Sequence, residues 1–516
     1  AYCFLNYTTV KYAGQSGMGA VNYESAGGRL KNSTLSNSSN YGVFCNGNST
    51  AIIDTVIIQN CSLDPIAMSL TSNPIFSHIT FISNYSSAIK IIEGTLSTTA
   101  TLISRNVAGF NNIAYIVDQL VIASNAKLII QPDVVIKFRG YYSYPSITVY
   151  GSLIANGSLL HKIYFTSFKD DSKGGDSNND GNVSSPNKGD WGYSGYAGIQ
   201  FINNSIVADT VNFLKNCEIS YAYDGLRFEN SHATIDSCVI QQIATYGLTI
   251  IGSSNPDIRN TQFYNITNSP IELSMFSTPV FTNCAATNIG YMALSVIPET
   301  YSQSATIPVR NFAGYNNINY FMEGVCTINS GTTITIPAGI IFKSNNANGF
   351  NVNGRLNIQG TTLKPVIFTN DRDDNYGNPA DMNQNGTATM PPNGNWEGWS
   401  GNWITFNDVS NDSSFVKNVI FRYGNIGIST LSSSPTIDSV HFENLYYGVD
   451  MNGVSAPKID HCIFHNLLYY PMQISLVSYP ASSANNLISG TTYKVVKVRE
   501  ETLTQDVILP KRSFGG

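Results

Sequence analysis

The chain has 516 residues, of which 42% are hydrophobic and 12% are charged, so it is long enough for several domains or for a repeat architecture. Its net charge of −6 and its lack of basic runs argue against partners such as nucleic acid and anionic membranes. No stretch approaches the roughly 18–20 apolar residues of a membrane-spanning helix.

The N-terminal part contains short alternating runs of apolar residues that recur at a constant spacing. Val43, Ile66 and Ile89 are 23 residues apart. Alternation over a few residues predicts strands with one buried face, and a constant spacing predicts coils stacked in register. Each coil then buries its inward residues only against its neighbours. Two β-sandwiches would also have short strands, but they do not place equivalent residues at a constant interval, so a solenoid is favoured.

A longer repeat begins at residue 105. RNVAGFNNIAYIV (105–117) recurs as RNFAGYNNINYFM (310–322), an offset of 205 residues. We therefore predict three stretches: 1–104 is the C-terminal part of one repeat unit, 105–309 is a complete unit, and 310–516 is a second unit. Because the sequence begins inside one unit and stops as another begins, we expect further repeats or neighbouring copies at both ends.

The short period continues through the complete unit. Leu226, Leu248, Ile271 and Leu294 are spaced 22, 23 and 23 residues apart. The segments IDSCVI, VKNVIF and IDHCIF resemble the rungs of right-handed parallel β-helix proteins of the pectin-lyase-like superfamily, and more narrowly of large bacterial or archaeal cell-surface β-helix proteins. The resemblance implies an all-β fold, a right-handed parallel β-helix (solenoid) of ~22–23 residues per rung with long polar loop insertions.

Two polar loops, 170–192 and 371–401, interrupt this pattern at equivalent places. Each begins like an EF-hand calcium loop, with oxygen-bearing side chains at alternate positions and then Gly. Because calcium prefers oxygen ligands, we predict a structural calcium ion in each loop; the alternative is a set of Asx-turns without metal. The candidate ligands are Asp170, Asp171, Asp176, Asn178 and Asp180 in the first loop, and Asp373, Asp374, Asp381, Asn383 and Asn385 in the second.

The four tryptophans follow the polar part of these loops. Trp191 and Trp396 hold equivalent positions in the two sequences and are interpreted as plugs that pin each loop to the solenoid wall. Trp399 and Trp403 occur only in the second copy, so they are the candidates for binding a sugar face.

No catalytic set emerges from the sequence. Asp54, Asp236, Asp438 and Asp460 occupy one recurring rung position, which is typical of a turn residue that caps its own backbone, whereas a catalytic acid would be unique. The superfamily implies calcium-binding acids with an Arg or Lys base in its polyuronate-cleaving members, but Arg227 and Arg259 have no acid cluster beside them in sequence.

The predicted function is therefore structural or adhesive: an extracellular stalk or fibre segment of a large cell-surface or secreted repeat protein, stabilised by calcium. The alternative is a carbohydrate-active protein, either a polysaccharide lyase or hydrolase or a glycan binder, with an extracellular polysaccharide as its partner. An ice- or surface-binding face is disfavoured, because no long array of Thr-x-Thr is present.

Overall fold

Short parallel strands make up the regular structure of this chain. The computed structural model describes residues 3–140, 146–193, 198–203, 211–386, 388, 389, 391, 401–509, 511, 513 and 514. Within these ranges there are 48 strands and no helix. Many strands are directly followed by an Asn with positive φ, such as Asn260 (φ 48°) and Asn283 (φ 51°). Asn suits these positions because it tolerates the left-handed conformation that turns the chain.

The chain divides into two compact units, and the first comprises residues 1–270 and 277–289. Its strands are β1 (Phe4–Asn6), β2 (Thr9–Lys11), β3 (Gly19–Glu24), β4 (Arg29–Ser36), β5 (Tyr41–Asn46), β6 (Ile52–Gln59), β7 (Ile66–Met68), β8 (Ile75–Ile82), β9 (Ile89–Ile91), β10 (Gly94–Leu96), β11 (Thr99–Leu102), β12 (Tyr115–Val117), β13 (Gln119–Ile122), β14 (Lys127–Ile130), β15 (Val135–Phe138), β16 (Ser146–Val149), β17 (Ser152–Asn156), β18 (Ile163–Ser167), β19 (Ile199–Ile202), β20 (Phe213–Lys215), β21 (Cys217–Ser220), β22 (Leu226–Glu229), β23 (Thr234–Asp236), β24 (Val239–Ile243), β25 (Leu248–Ile251), β26 (Asp257–Arg259), β27 (Gln262–Ile266), β29 (Val280–Thr282) and β30 (Ala285–Ile289).

The second unit comprises residues 271–276 and 290–516. Its strands are β28 (Ile271–Leu273), β31 (Leu294–Val296), β32 (Thr300–Tyr301), β33 (Ala305–Thr306), β34 (Tyr320–Met322), β35 (Cys326–Ile328), β36 (Thr333–Pro337), β37 (Ile341–Ser344), β38 (Phe350–Val352), β39 (Arg355–Gln359), β40 (Val366–Asn370), β41 (Asn402–Phe406), β42 (Phe415–Leu431), β43 (Thr436–Asn452), β44 (Lys458–Asp460), β45 (Ile463–His465), β46 (Tyr470–Ile474), β47 (Leu487–Ser489) and β48 (Val496–Val498).

Each unit is a parallel β-solenoid, in which a strand pairs with the equivalent strand of the next coil. In the first unit, β3, β5, β7, β9, β12, β15, β18, β21, β24, β27 and β30 form one sheet, and β11, β14, β17, β20, β23, β26 and β29 form another. In the second unit, β34 pairs with β37, β37 with β40, and β40 with β42, all in parallel. Parallel pairing between coils is the defining geometry of a solenoid, so the predicted fold class is confirmed.

Matching side chains stack into inward columns, as the spacing predicts. Leu226 pairs with Leu248, and Ile271 pairs with Leu294. All four are fully buried. In the second unit an aromatic column runs through Phe342, Phe368, Phe421, Phe442 and Phe464, with neighbouring ring centroids 4.9, 5.0, 5.7 and 4.9 Å apart. These distances are close to the ~4.8 Å spacing of adjacent strands, so one ring per coil fills the interior.

The cysteines behave as small apolar residues. Cys217, Cys238 and Cys462 are buried at the equivalent rung position, and all eight cysteines are free thiols. Within the part of the chain that the structure describes, no helix is long and apolar enough to cross a membrane.

Candidate cation sites in two folded-back loops

The two polar loops leave the solenoid after equivalent strands and fold back over it. We call residues 168–198, between β18 and β19, the first loop, and residues 371–401, between β40 and β41, the second loop. The Ser87 amide donates to the Ser177 carbonyl at 2.9 Å, and the Met292 amide donates to the Met382 carbonyl at 2.7 Å. These two bonds are equivalent, since both partners are offset by 205 residues. The same anchor therefore holds each loop against an earlier coil.

A buried lysine lies beneath each loop. Lys137 and Lys343 are fully buried, which is unusual for a lysine. The residues that precede each of them in its strand are apolar. Lys137 Nζ donates to the Gly175 carbonyl of the first loop at 2.8 Å. Lys343 Nζ donates to the carbonyls of Asp373 and Ala380 in the second loop at 2.8 and 2.5 Å. The loops thus cover the ammonium groups and supply their hydrogen-bond acceptors.

Burial lowers the pKa of both lysines to about 8, because the charged ammonium has lost most of its hydration. The carboxylates of Asp170 and Asp373 are the largest opposing influences on Lys137 and Lys343 respectively. Sequence reasoning missed these lysines. The available signal was a lysine inside an apolar strand, VVIKF in one copy and GIIFK in the other.

Three carboxylates of the first loop converge, and four of the loop's buried side-chain oxygens have no hydrogen-bond donor. One carboxylate oxygen each from Asp171, Asp176 and Asp180 lies within 4.8 Å of the others. The Oδ1 atoms of these three residues and of Asn178 are buried and accept no hydrogen bond from the described residues. Burial and then the nearby carboxylate of Asp176 raise the pKa of Asp171. Buried, unpaired and like-charged oxygens are the arrangement that a hard cation stabilises.

The other oxygens of the first loop hold its shape. Asp176 Oδ2 accepts the Gly181 amide at 2.9 Å, and Asp180 Oδ2 accepts the Asn178 side-chain amide at 2.9 Å. Ser184 donates its hydroxyl to the same Asp180 oxygen. Gly181 has φ of 68°, a conformation that suits glycine. In Asp176 and Asp180 one carboxylate oxygen is therefore used for folding, and the other remains for a ligand.

The second loop repeats this arrangement with one fewer acid. Both oxygens of Asp374 and the Oδ1 atoms of Asn383 and Asn385 are buried without donors. Asp381 accepts the amides of Asn385 and Gly386 at 3.2 and 2.8 Å. Burial, and then Asp381, raise the pKa of Asp374. Since Asn385 stands where the first loop has Asp180, the second site has less negative charge for a cation.

Besides Asp381, two further predicted ligands, Asp170 and Asp373, offer no unpaired oxygen to these clusters. Asp170 accepts the hydroxyls of Thr166 and Ser172 at 2.7 and 2.6 Å. Asp373 accepts the Thr369 hydroxyl at 2.5 Å and forms an ion pair with Arg422 at 3.1 Å. Their carboxylates are satisfied at the base of each loop, so both residues order the loop entrance rather than offer free oxygens.

The structure corrects the interpretation of the tryptophans. Trp191 and Trp403 are both fully buried. The Trp191 indole donates to the Ser220 carbonyl at 2.8 Å, and the Trp403 indole donates to the Arg422 carbonyl at 3.2 Å. These acceptors are equivalent positions of β21 and β42. Trp403 is therefore the plug of the second copy and has no face to offer a sugar.

Trp396 and Trp399 lie outside the described residues. In the first copy, the position equivalent to Trp403 is Gly198, where an added Cβ would lie 2.0 Å from the Trp191 ring. The equivalent interior space is thus filled by an indole ring from residue 191 in the first copy and from residue 403 in the second.

The recurring aspartates bind the next coil rather than their own backbone. Asp236 Oδ1 accepts the Asn260 amide at 3.0 Å, and Asp438 Oδ1 meets His461 Nδ1 at 2.9 Å. Their repetition and their occupied oxygens give them a structural role, as the sequence predicts, although the hydrogen-bond partners differ from the prediction.

An ionic network in the first unit is not repeated. Lys90 pairs with Asp118 and, at 3.4 Å, with Glu93, while Arg139 pairs with Asp64 and lies 3.9 Å from Asp118. The Arg139 guanidinium also lies over an aromatic ring, 5.0 Å from the centroid of the Phe168 ring. The residues at the equivalent positions of the sequence repeat, 205 or 206 residues later, are Ser295 for Lys90, Glu323 for Asp118, Asn345 for Arg139 and Ser269 for Asp64.

Comparisons with known structures find only distant similarity. The catalytic unit of a thermostable GH87 α-1,3-glucanase from Streptomyces thermodiastaticus strain HF3-3 is 10% identical, with a TM-score of 0.21 over 80% of this chain and 64% of the glucanase chain. A GH87 α-1,3-glucanase catalytic domain in complex with tetrasaccharides is 12% identical, with a TM-score of 0.19 and coverage of 80% and 64%. The PL6 family alginate lyase AlyGC is 9% identical, with a TM-score of 0.17 and coverage of 96% and 94%. Similarity at this level assigns no activity.

The family comparison is informative for the fold. No curated protein matches the chain. A family model described as "Right handed beta helix region" matches residues 2–132 and 193–364, which is more than half of the sequence. The unmatched interval between them, 133–192, contains β15–β18, Lys137 and most of the first loop. The chain belongs to the right-handed β-helix family.

Proposed function

We propose that this protein is an extracellular structural or adhesive β-solenoid whose two folded-back loops each bind a calcium ion. The observation that carries the proposal is the set of buried Oδ1 atoms of Asp171, Asp176, Asn178 and Asp180, which have no hydrogen-bond donors. Leaving such groups unpaired costs several kcal/mol in total, so a ligand that satisfies all of them stabilises the loop. Calcium fits because it takes six to eight oxygen ligands in a flexible geometry.

The ion's role would be structural. Asp171, Asp176 and Asp180 repel one another across less than 5 Å, and the loop has little apolar surface with which to hold itself in place. A bound cation would replace this repulsion with attraction and fix the loop over Lys137. We infer a location outside the cell, where calcium sites of ~10⁻⁴–10⁻³ M affinity are common in structural modules.

Calcium titration of matched variants tests the proposal. We expect isothermal titration of the metal-free chain to give two sites, of which Asp176→Ala removes one and Asp374→Ala the other. The control is Asp257→Ala, which removes an acid of β26 that pairs with Arg259 and lies outside both loops. Saturating calcium should raise the melting temperature of the wild-type chain and of the control, but not that of the double loop variant. Absence of binding at about 10 mM calcium would reject the proposal.

A carbohydrate-active protein is the second candidate. The unrepeated network of Lys90, Asp118, Arg139 and Asp64 supports it, because a catalytic or binding set is expected once whereas a stalk shows the same residues in each unit. Incubation with neutral and acidic polysaccharides, with and without calcium, separates the two candidates by the release of reducing ends or of unsaturated products. Turnover that Lys90→Met abolishes would favour the enzyme.

A further inference from the structure

A reactive dipeptide, Asn385 followed by Gly386, lies in the second loop. Gly386 is exposed and has φ of 63°, and no other part of the described chain comes within 4 Å of the place where a Cβ would lie. The side chain of an asparagine that precedes glycine can cyclise, because no Cβ hinders the approach of the glycine amide nitrogen to the side-chain carbonyl carbon. The reaction at this pair then depends on the groups that surround these two atoms.

The groups that the cyclisation needs are in contact with this pair. Asp381 Oδ2 accepts the Gly386 amide at 2.8 Å, which is within the reach of a general base. The side-chain nitrogen of Asn385, which must leave, donates to Thr389 Oγ1 at 2.6 Å. The Asn385 Oδ1 atom is buried and accepts no hydrogen bond from the described residues. The loop therefore offers a base to the attacking nitrogen and leaves the carbonyl of the amide unstabilised.

The first loop already carries the residue that this reaction would produce. Asp180 stands at the position equivalent to Asn385, with the same following glycine. Its Oδ2 accepts the hydroxyl of Ser184, which is equivalent to Thr389. The amide of the following glycine donates to an aspartate in both loops, at 2.9 and 2.8 Å. An aspartate at position 385 therefore fits the hydrogen bonds that the second loop already makes.

We propose that Asn385 is a self-catalysed deamidation site, which gives the second loop the acid that the first loop has in its sequence. Asp381 takes the proton of the Gly386 amide, the nitrogen forms a bond to Asn385 Cγ, and the Cγ–Nδ2 bond breaks. The same proton passes to the departing side-chain nitrogen, which leaves as ammonia, and a cyclic succinimide remains. Water then opens the ring at either carbonyl and gives an aspartate or an isoaspartate at position 385. Water is the only other reactant.

The consequence of this reaction for calcium rests on the proposed function. The aspartate product adds a negative charge to the second site and matches Asp180, so the calcium affinity of this site should rise as the chain ages. Asn385→Asp is the variant that contains this product from the start. It should bind calcium at the second site about tenfold more tightly than the fresh wild-type chain.

Peptide mapping by mass spectrometry follows the reaction during incubation of the full, metal-free chain at neutral pH. Asn156 and Asn353 are internal controls, because each precedes a glycine whose amide donates to a backbone carbonyl, at 2.9 and 3.1 Å, instead of to an acid. We expect Asn385 to gain the mass difference between an amide and a carboxyl group at least about tenfold faster than either control. Equal or slower conversion at Asn385 overturns the proposal.

One variant tests the base. Asp381→Asn keeps an oxygen that can accept the Gly386 amide but removes its basicity, so conversion at Asn385 should slow about a hundredfold. A loop that is only loosened by this substitution would convert faster, so a faster or unchanged rate overturns the role of Asp381. Asp257→Asn, outside both loops, is the matched control and should convert like the wild type.

Calcium titration of the fresh and the incubated chain separates this inference from the proposed function. An affinity gain at the second site that follows the mass change at Asn385 supports both. A mass change without such a gain, in a chain whose second site binds calcium, overturns the consequence for calcium. Absence of calcium binding in the fresh chain, the incubated chain and Asn385→Asp rejects the proposed calcium sites, whereas the mass change still decides the modification.

Discussion

Trp191 and Trp403 fill equivalent interior spaces from different sequence positions. We therefore predict that the tryptophan of the first unit can be moved from position 191 to position 198, which is equivalent to Trp403. Trp191 is fully buried, stacks on Phe138 with ring centroids 4.1 Å apart, and donates to the Ser220 carbonyl. Trp191→Ala should lower the free energy of unfolding by about 3–5 kcal/mol, the range for truncating a buried large aromatic residue. Loss of the indole donor, which leaves a buried carbonyl unpaired, places the expected value near the upper end.

The second half of this experiment adds a tryptophan at Gly198. In the wild-type background, Gly198→Trp should be destabilising, because its Cβ would lie 2.0 Å from the Trp191 ring. In the Trp191→Ala background the space is empty, and the new side chain occupies the place that Trp403 fills in the second unit. Gly198 does not adopt a positive φ, so its backbone accepts a side chain. We expect the double variant to recover at least about 2 kcal/mol of the loss.

Urea denaturation followed by far-ultraviolet circular dichroism measures all four members of this cycle. The two substitutions must show a strongly favourable coupling, since each is harmful alone and each relieves the other. Additive losses in the double variant would refute the idea that Trp191 and Trp403 fill one equivalent space. A Trp191→Ala loss below about 1 kcal/mol would refute the plug itself.

Three further predictions concern charge and thiols. Asp180→Asn gives the first loop the residue found at Asn385, so its calcium affinity should fall about tenfold in titration calorimetry, toward that of the second loop. Although burial opposes ionisation of Asp236, hydrogen bonds from Asn260 of the next coil and from the adjacent Ser237 lower its pKa. Its contribution to stability is therefore present above about pH 4 and is lost as the pH falls further. Asp236→Asn should therefore flatten acid denaturation curves between about pH 5 and 2. Ellman's reagent should label the exposed Cys3 promptly in the native chain but should not label the buried Cys45. Burial raises the pKa of the Cys45 thiol to about 12, so little reactive thiolate is present. Prompt labelling of several thiols would contradict the packed interior.

The fold was predictable because strands that pair in a solenoid recur at a constant interval along the sequence. Val43, Ile66 and Ile89 occupy one register, as their 23-residue interval requires. Alternating apolar residues, together with Asn at the turns, fix which face points inward. The sequence of the loops also predicted the alternating oxygens of Asp176, Asn178 and Asp180, since a short-range pattern needs no knowledge of distant contacts.

The remaining features depend on contacts that the spacing does not encode. The apolar surroundings of Lys137 are visible in the sequence, but the folding back of the first loop that covers it and supplies its acceptor is not. The equivalence of Trp191 and Trp396 in sequence is misleading, because Trp403, seven residues later, fills the space.

A comparison of the two units separates stability from recognition. A parallel solenoid imposes the same backbone ladder on every coil, so a feature that appears in both units serves the ladder or the loops. The anchor bonds at Ser177 and Met382, the buried lysines and the plugs are of this kind, and each survives even when the residues that build it change. The network around Arg139 occurs in the first unit, and the chain forms the same ladder 205 or 206 residues later with Ser295, Glu323 and Asn345 in place of Lys90, Asp118 and Arg139. Residues that the ladder does not require are the ones that a binding or catalytic role would explain, so this network is the place where substitutions should first be tested for an effect on function.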